Sequence, residues 1–234
     1  MVWDKQMHFN DPVTINMKYM MLYHGGVMAI CIIVMAVVCS GFGYMLLSSA
    51  EVSSFCNEYT NNDMVETLWT GIPMILLFML CVPSLNLLYL SGFRPGGYEL
   101  NLKVIGHQWY WSYEYNLGAK EGGFDSYMTP WEEGADALIL YMDVDNRCVL
   151  PINTLIRVLY SSVDVIHSWF IPSFGFKNDC VPGRVGSSSL VVKEPGVYYG
   201  FCTELCGAMH SEMPIVVEAL PKGAFYNWLD TILD

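Results

Sequence analysis

A two-helix transmembrane hairpin followed by an all-β Greek-key sandwich or barrel is the fold class this sequence predicts, on three observations. Tyr19 to Ala50 is a run of 32 residues without Asp, Glu, Lys or Arg, and Thr67 to Phe93 is a second such run of 27. Each exceeds the roughly 20 residues a helix needs to cross the hydrocarbon core. After Arg94 the texture changes to short β-branched and aromatic segments separated by turn residues, the pattern of an antiparallel β domain.

The first span is expected at about 25–48, strongest over Val27–Leu47, and the second at about 68–90, where Pro73 and Pro83 should bend it in a way membrane helices tolerate. Two buried helices of a soluble bundle are the alternative, but uncharged runs this long need a very large core. The first run starts too late, is too long and lacks the basic flank of a secretory signal. Pro95-Gly96-Gly97 marks the boundary between an anchor over 1–93 and a β domain over 94–234. Strands are read at Tyr98–Gly106, His107–Tyr115, Asp136–Val144, Leu155–Ser161, Val165–Ile171, Leu190–Lys193, Val197–Phe201 and Ile215–Leu220. Lys222–Leu233 has helical spacing (Phe225, Trp228, Leu229, Ile232) and closes the domain.

Hydrophobic residues make up 53% of the 234 and charged ones 15%, which excludes a disordered chain. The net charge of −12 excludes a nucleic-acid partner, which requires a basic footprint. Residues 1–91 hold two basic and six acidic side chains, and 92–234 hold nine and seventeen. The β domain is thus an acidic surface suited to a cationic partner. The inter-span stretch Glu51–Glu66 has four acids and no base, while Lys5, Lys18 and Arg94 lie outside the spans. By the positive-inside rule alone, the tails would face the cytoplasmic side.

Gly200–Pro214, GFCTELCGAMHSEMP, places Cys202, Cys206, His210 and Met213 in a C-x3-C-x3-H-x2-M array. Thiolate, imidazole and thioether together select a soft metal, copper first. The second Cys lets two copper ions share two sulfurs. Such a pair needs another imidazole, which His167 in DVIHSWFIP supplies, and a backbone carbonyl, that of Glu204, to complete the set. A Cys2His2 zinc site would leave Met213 without a role, and a Cys202–Cys206 disulfide would leave His210 and Met213 as coincidence. No general base or open hydrolytic position is evident, so the site moves electrons.

HQWYWSYEY, His107–Tyr115, puts Trp109, Trp111, Tyr113 and Tyr115 on one face of a strand. They read mainly as core, with one ring near the metal available as an electron port. His8, His24 and His107 read as structural. Cys31, Cys39 and Cys81 behave as small hydrophobes within the spans, and Cys56, Cys148 and Cys180 as free thiols. Glu66 is either an interfacial acid or a proton-uptake residue at a channel mouth.

The stretches MVETLWTGIPMILL, IGHQWYWSYEY, FDSYM, DVDNRCVLP, DVIHSWFIPSFGFK, VPGR and PGVYYGFCTELCGAMHSEMPIVVE resemble, in order, cytochrome c oxidase subunit II. The resemblance covers nearly the whole chain. It implies a membrane hairpin carrying a cupredoxin-like domain outside the membrane, with His167, Cys202, Glu204 (carbonyl), Cys206, His210 and Met213 as ligands of the dinuclear copper centre CuA. It further implies that Trp109 receives electrons from cytochrome c and that the Glu204 side chain binds magnesium shared with subunit I. Glu66 matches the entrance of the K proton pathway, and Glu114, Asp125, Asp145 and Asp164 match acids of the cytochrome c docking face. Both tails and the copper domain are implied to lie in the intermembrane space, against the positive-inside count, and the resemblance is preferred because the copper domain must meet an external cytochrome c. Cys148 and Cys180 stand where the family pattern usually has apolar residues, and Leu117–Gly123 and Thr129–Leu140 depart from it. The absence of a leader, the short chain and 15 methionines resemble a mitochondrially encoded subunit of the inner membrane. The rivals are a quinol oxidase subunit II, with this fold but no copper, and a membrane-anchored protein that stores or delivers copper.

Overall fold

The computed structural model describes residues 8–47, 61–118, 120–130 and 142–233. The chain forms two compact units, Tyr19–Tyr89 and a second comprising Leu90 onward together with the residues up to Lys18.

The first unit consists of most of helix α1 (Ile15–Leu47) and of α2 (Asp63–Gly92). Both are long and apolar enough to span a bilayer. At 1.5 Å per residue α1 is about 50 Å long, well beyond the hydrocarbon core. Each helix begins before its apolar run because a polar residue caps it. Thr14 Oγ1 accepts from the Met17 amide at 3.1 Å, and Asn62 Oδ1 from the Val65 amide at 3.2 Å. Hydropathy sees only the lipid-compatible stretch and misses these polar first turns. Pro73 and Pro83 both lie inside α2.

The second unit is a sandwich of two five-stranded sheets. One has the order β3-β2-β1-β5-β8, where β1 is Leu100–His107, β2 Tyr110–Leu117, β3 Lys120–Ser126, β5 Ile156–Ser162 and β8 Gly186–Leu190. The other has the order β4-β10-β9-β6-β7, with β4 Cys148–Pro151, β6 His167–Ile171, β7 Phe176–Cys180, β9 Gly196–Cys202 and β10 Pro214–Leu220. The β1–β5 and β4–β10 pairs are parallel and the others antiparallel. Alternating residues such as Leu102, Val104, Trp111, Tyr113, Val158, Tyr160, Trp169, Ile215 and Val217 are buried. Burial of each large apolar side chain is worth about 1.5–3 kcal/mol. Helix α3 (Lys222–Leu233) closes one end, with Phe225 and Leu229 buried and Trp228 edge-on to Tyr115.

Two corrections concern the strands. His107–Tyr115 is not one strand: β1 ends at His107, which pairs with Tyr110, and Gln108–Trp109 is the turn between them. Only Trp111, Tyr113 and Tyr115 therefore share the inward face. The last short strand before β9 is Gly186–Leu190 rather than Leu190–Lys193, because Gly186–Leu190 supplies the ladder partners of β5. The expected strand Asp136–Val144 and the position of Cys56 fall largely outside the described residues.

Candidate metal centre

Strand β9 ends at Cys202 and lies beside β6, with Trp169 facing Cys202 across the ladder. This pairing places His167, the first residue of β6, next to the loop that follows β9. The loop turns back through a short 3₁₀ turn, His210–Glu212, before β10 begins. Reactive atoms of His167, Cys202 and Cys206 lie within 4.8 Å of one another. Cys206 Sγ is 3.4 Å from His210 Nδ1 and 3.5 Å from Met213 Sδ, while the Cys202 thiol donates to the Glu204 carbonyl at 3.3 Å. The residues expected to hold the metal thus converge, and both thiols are free.

The donor set fits a soft cation on a specific observation. His167 is fully buried, yet its Nδ1 has no hydrogen-bond partner among the described residues. Its other nitrogen, Nε2, is 2.8 Å from Asp164 Oδ1. A carboxylate at Nε2 fixes the proton there and leaves the Nδ1 lone pair facing the thiols, the usual arrangement of a ligating histidine.

Asp164 is a hub. Its carboxylate also accepts from the Gln108 amide at 2.6 Å, the Val165 amide at 2.6 Å and the Ser162 hydroxyl at 3.2 Å. Burial raises its pKa, but the hydrogen bonds from His167, Val165 and Gln108 outweigh that and hold the carboxyl below its ordinary value. Burial opposes the Cys202 thiolate too, but the adjacent His167 ring and the backbone at Ser168 and Glu204 bring the thiol below its usual pKa. Cys206 moves the opposite way, pushed up by burial and then by its neighbour's charge. A bound cation would favour both as thiolates.

Packing supports the loop from below. The indole of buried Trp111 donates to the Met213 carbonyl at 3.2 Å. A Cβ at Gly106 would stand 2.8–3.0 Å from the His167 ring and its Cβ, so only glycine lets the two sheets approach there.

Trp109, half-buried in the β1–β2 turn, rests against Gly207, immediately after Cys206. Beside it the His107 and Tyr110 rings stack at 4.4 Å, and Tyr110 stacks on Tyr127 at 4.4 Å. Three acids border this stack. Asp125 accepts from the Ser112 hydroxyl, itself 2.9 Å from His107 Nε2, Asp145 accepts from the Tyr127 amide, and Asp164 binds the Gln108 amide. His107 has its pKa lowered, by burial first, against the pull of Asp164 and Asp125. Glu114 is different: it lies on β2 in an ion pair with Lys103 at 2.8 Å. Glu66 occupies the first turn of α2, in the other unit, where the helix dipole favours an acid. The Glu204 side chain is exposed beside the site.

The sequence reading missed Gln108, Tyr110, Tyr127 and Gly106. It also missed a set of exposed apolar side chains on the site loops and adjoining β9: Val163, Val165, Ile166, Phe201, Leu205 and Met209. Apolar residues inside otherwise polar loops were the available signal, since such exposure marks an interaction surface.

A profile for the periplasmic domain of cytochrome c oxidase subunit II matches residues 100–220, and one for its transmembrane domain matches residues 2–87. The chain belongs to the cytochrome c oxidase subunit II family. Cytochrome c oxidase subunit 2 of Periplaneta americana is 42% identical over 95% of each chain. The subunit 2 of Branchiostoma floridae is also 42% identical, over 98% of this chain and 97% of its own. Among solved structures, the periplasmic domain of subunit II of cytochrome oxidase (CoxB) of Bradyrhizobium japonicum is 37% identical, with a TM-score of 0.53. It is covered over 94% of its length by 58% of this chain. The sandwich is thus the cupredoxin-like domain of the subunit II family.

Proposed function

We propose that the chain is the electron-accepting subunit of a heme–copper terminal oxidase, drawing electrons from reduced cytochrome c and delivering them to heme in subunit I, where oxygen is reduced and protons are pumped. The convergence of two thiols, two imidazoles and a thioether, with the orphaned Nδ1 of buried His167, carries this reading. His167, Cys202, Cys206, His210, Met213 and the Glu204 carbonyl would hold two copper ions. Copper held there supplies reversible one-electron chemistry. The chain's own residues do the rest: Asp164 orients His167, Trp111 fixes the carbonyl of Met213, and the burial of Cys202, Cys206 and Met213 keeps water from the sulfurs. Zinc would leave the thioether unused, and a quinol oxidase subunit would have no need of the ligand set.

Trp109 is the electron port. Asp125, Asp145 and Asp164 steer the cationic cytochrome c toward it, and Glu114, offset by Lys103, contributes less. The Glu204 carboxylate would bind magnesium shared with subunit I, Glu66 would mark the entrance of the K proton pathway, and exposed Phe201, Leu205 and Met209 would be covered by other oxidase subunits. Residues 1–93 form the lipid-embedded anchor and its tail, and residues 94–234 the copper domain. Val13, Thr14 and Met17 are buried with the β unit. This supports an N-terminal tail on the same side as the copper domain, with two spans between. That side is assigned to the intermembrane space of the mitochondrial inner membrane, with a bacterial plasma membrane as the alternative.

The test is metal content and spectrum of the purified oxidase. Two coppers at this subunit, with intense thiolate-to-copper bands and reversible one-electron reduction, are expected; one zinc, or no metal, overturns the assignment. Trp109→Phe should retain the copper and lose most turnover with cytochrome c. Full turnover would remove Trp109 from the port role.

A further inference from the structure

The β1–β2 turn bears Trp109, and nothing in the indole's own chemistry holds it there. Its N–H is buried with no hydrogen-bond partner among the described residues. A ring without a polar anchor at the tip of a hairpin would sample several positions unless its neighbours fixed it.

Two neighbours do so. Gln108, which precedes the indole, is bonded on both sides of the site. Its backbone N–H donates to Asp164 Oδ2 at 2.6 Å, and its side-chain Nε2 donates to the Cys206 carbonyl at 2.8 Å. The second feature is Gly207, at φ 128°, a conformation L side chains rarely adopt. A Cβ there would meet Trp109 Cζ2 at 2.9 Å, Gln108 Nε2 at 3.2 Å and Trp109 Nε1 at 3.3 Å. The indole therefore lies directly on the bare peptide that follows Cys206.

We propose that Gln108 is a positioning residue that latches the Trp109 turn to the copper loop, and that Gly207 is the platform on which the indole rests, so that electrons reach the centre on its Cys206 side. Both links, the Gln108 hydrogen bond and the indole–Gly207 contact, converge on Cys206. Cys202 is instead bonded at the Glu204 carbonyl and faces Trp169 across the ladder. Gln108 thus acts on the transfer distance and not on partner affinity. The inference rests on the reading of Trp109 as electron port.

The experiment uses the assembled oxidase carrying Gln108→Leu, which keeps side-chain bulk and removes the amide donor. Copper content and visible spectrum should be unchanged, as should the Kd for cytochrome c. First-order electron transfer from docked, photoreduced cytochrome c should fall severalfold, since tunnelling through protein decays exponentially with distance. The ¹⁹F resonance of 5-fluorotryptophan at position 109, assigned with Trp109→Phe, should shift and broaden, since the released turn moves. Gly207→Ala is the second variant, because its Cβ displaces the indole while leaving the Gln108 amide; the same resonance should shift. An unshifted resonance in Gly207→Ala overturns the platform, and an unshifted resonance in Gln108→Leu overturns the latch. So does slowing in Gln108→Leu that is wholly accounted for by a weaker Kd, because Gln108 would then be a docking contact. If Trp109→Phe transfers electrons normally, the port reading fails, while the ¹⁹F spectra still decide whether the latch exists.

Discussion

Asp164 was expected as a docking acid, yet its geometry assigns it a further task that Asp164→Ala separates from surface charge. The carboxylate accepts from two backbone amides, the Ser162 hydroxyl and His167 Nε2. Its side chain is 28% exposed, whereas that of His167 is 0% exposed. Water can reach the amides of Gln108 and Val165 once the carboxylate is gone, but not the His167 ring. The orphaned buried donor costs about 1–3 kcal/mol, and the rehydrated amides add a fraction of that, for a total of about 2–4 kcal/mol of domain stability. Loss of a partner that orients a ligating histidine lowers metal affinity roughly 10- to 100-fold. Asp164→Asn keeps one acceptor oxygen and should fall between the parent and the alanine variant. The assay is copper retention by the purified oxidase against a graded chelator, alongside a denaturant midpoint and turnover at several salt concentrations. A pure docking charge would alter only the salt dependence. Were Asp164→Ala to keep the parent's midpoint and copper affinity and change only that dependence, the hub argument would be refuted.

Gly106→Ala should displace the His167 ring, destabilise the domain by about 1–3 kcal/mol and strip copper more readily, as read by melting temperature and metal content after dialysis; unchanged values would show that the sheets part without consequence. Cys148 is fully buried, and burial pushes its thiol up to about 12 from 9.0. Between those values the unfolded chain has lost the proton and the folded chain keeps it, so the contribution is whole below pH 9 and is lost as pH rises toward 12, by about 1 kcal/mol per pH unit. Cys148→Val should therefore gain on the parent in denaturant midpoint between pH 9 and 11, and a constant difference would contradict the burial argument. At pH 8 the same shift leaves a thiolate fraction of roughly 10⁻⁴, so native Cys148 should resist alkylation until unfolding, as mass spectrometry of pulse-labelled protein can follow.

The spans and the metal loop were legible because each is written locally. An uncharged run announces lipid without any tertiary knowledge, and the expected ligands Cys202, Cys206, His210 and Met213 sit close together in sequence. Even His167 could be named, since only its residue type was needed. What could not be read depends on pairing. Trp109 alternates with Trp111 in the sequence, but the hairpin turn reverses the chain between them and removes Trp109 from the inward face. Gly106 looks like any strand glycine until the His167 ring is placed over it, and Gln108 has no chemistry of its own until Cys206 is brought within 2.8 Å. The short strands β3, β4 and β7 were missed because Gly122-Gly123, a four-residue length and a polar alternation each weaken the β pattern, whereas their partners in the ladder do not.

The segment ahead of Lys18 packs as part of the β unit, although two long helices separate it from the strands. Val13 bonds Ser173 and Lys193 through its backbone, and Thr14 donates to the Phe174 carbonyl across a separation of 160 residues. Met17 lies so close to Gly175 that a Cβ there would meet its Cα at 2.7 Å. The β unit is therefore incomplete until this segment meets partners 160 residues further along the chain. The fastening of Val13 thus makes the β unit discontinuous in sequence, so that its stability depends on residues lying on the far side of both long helices.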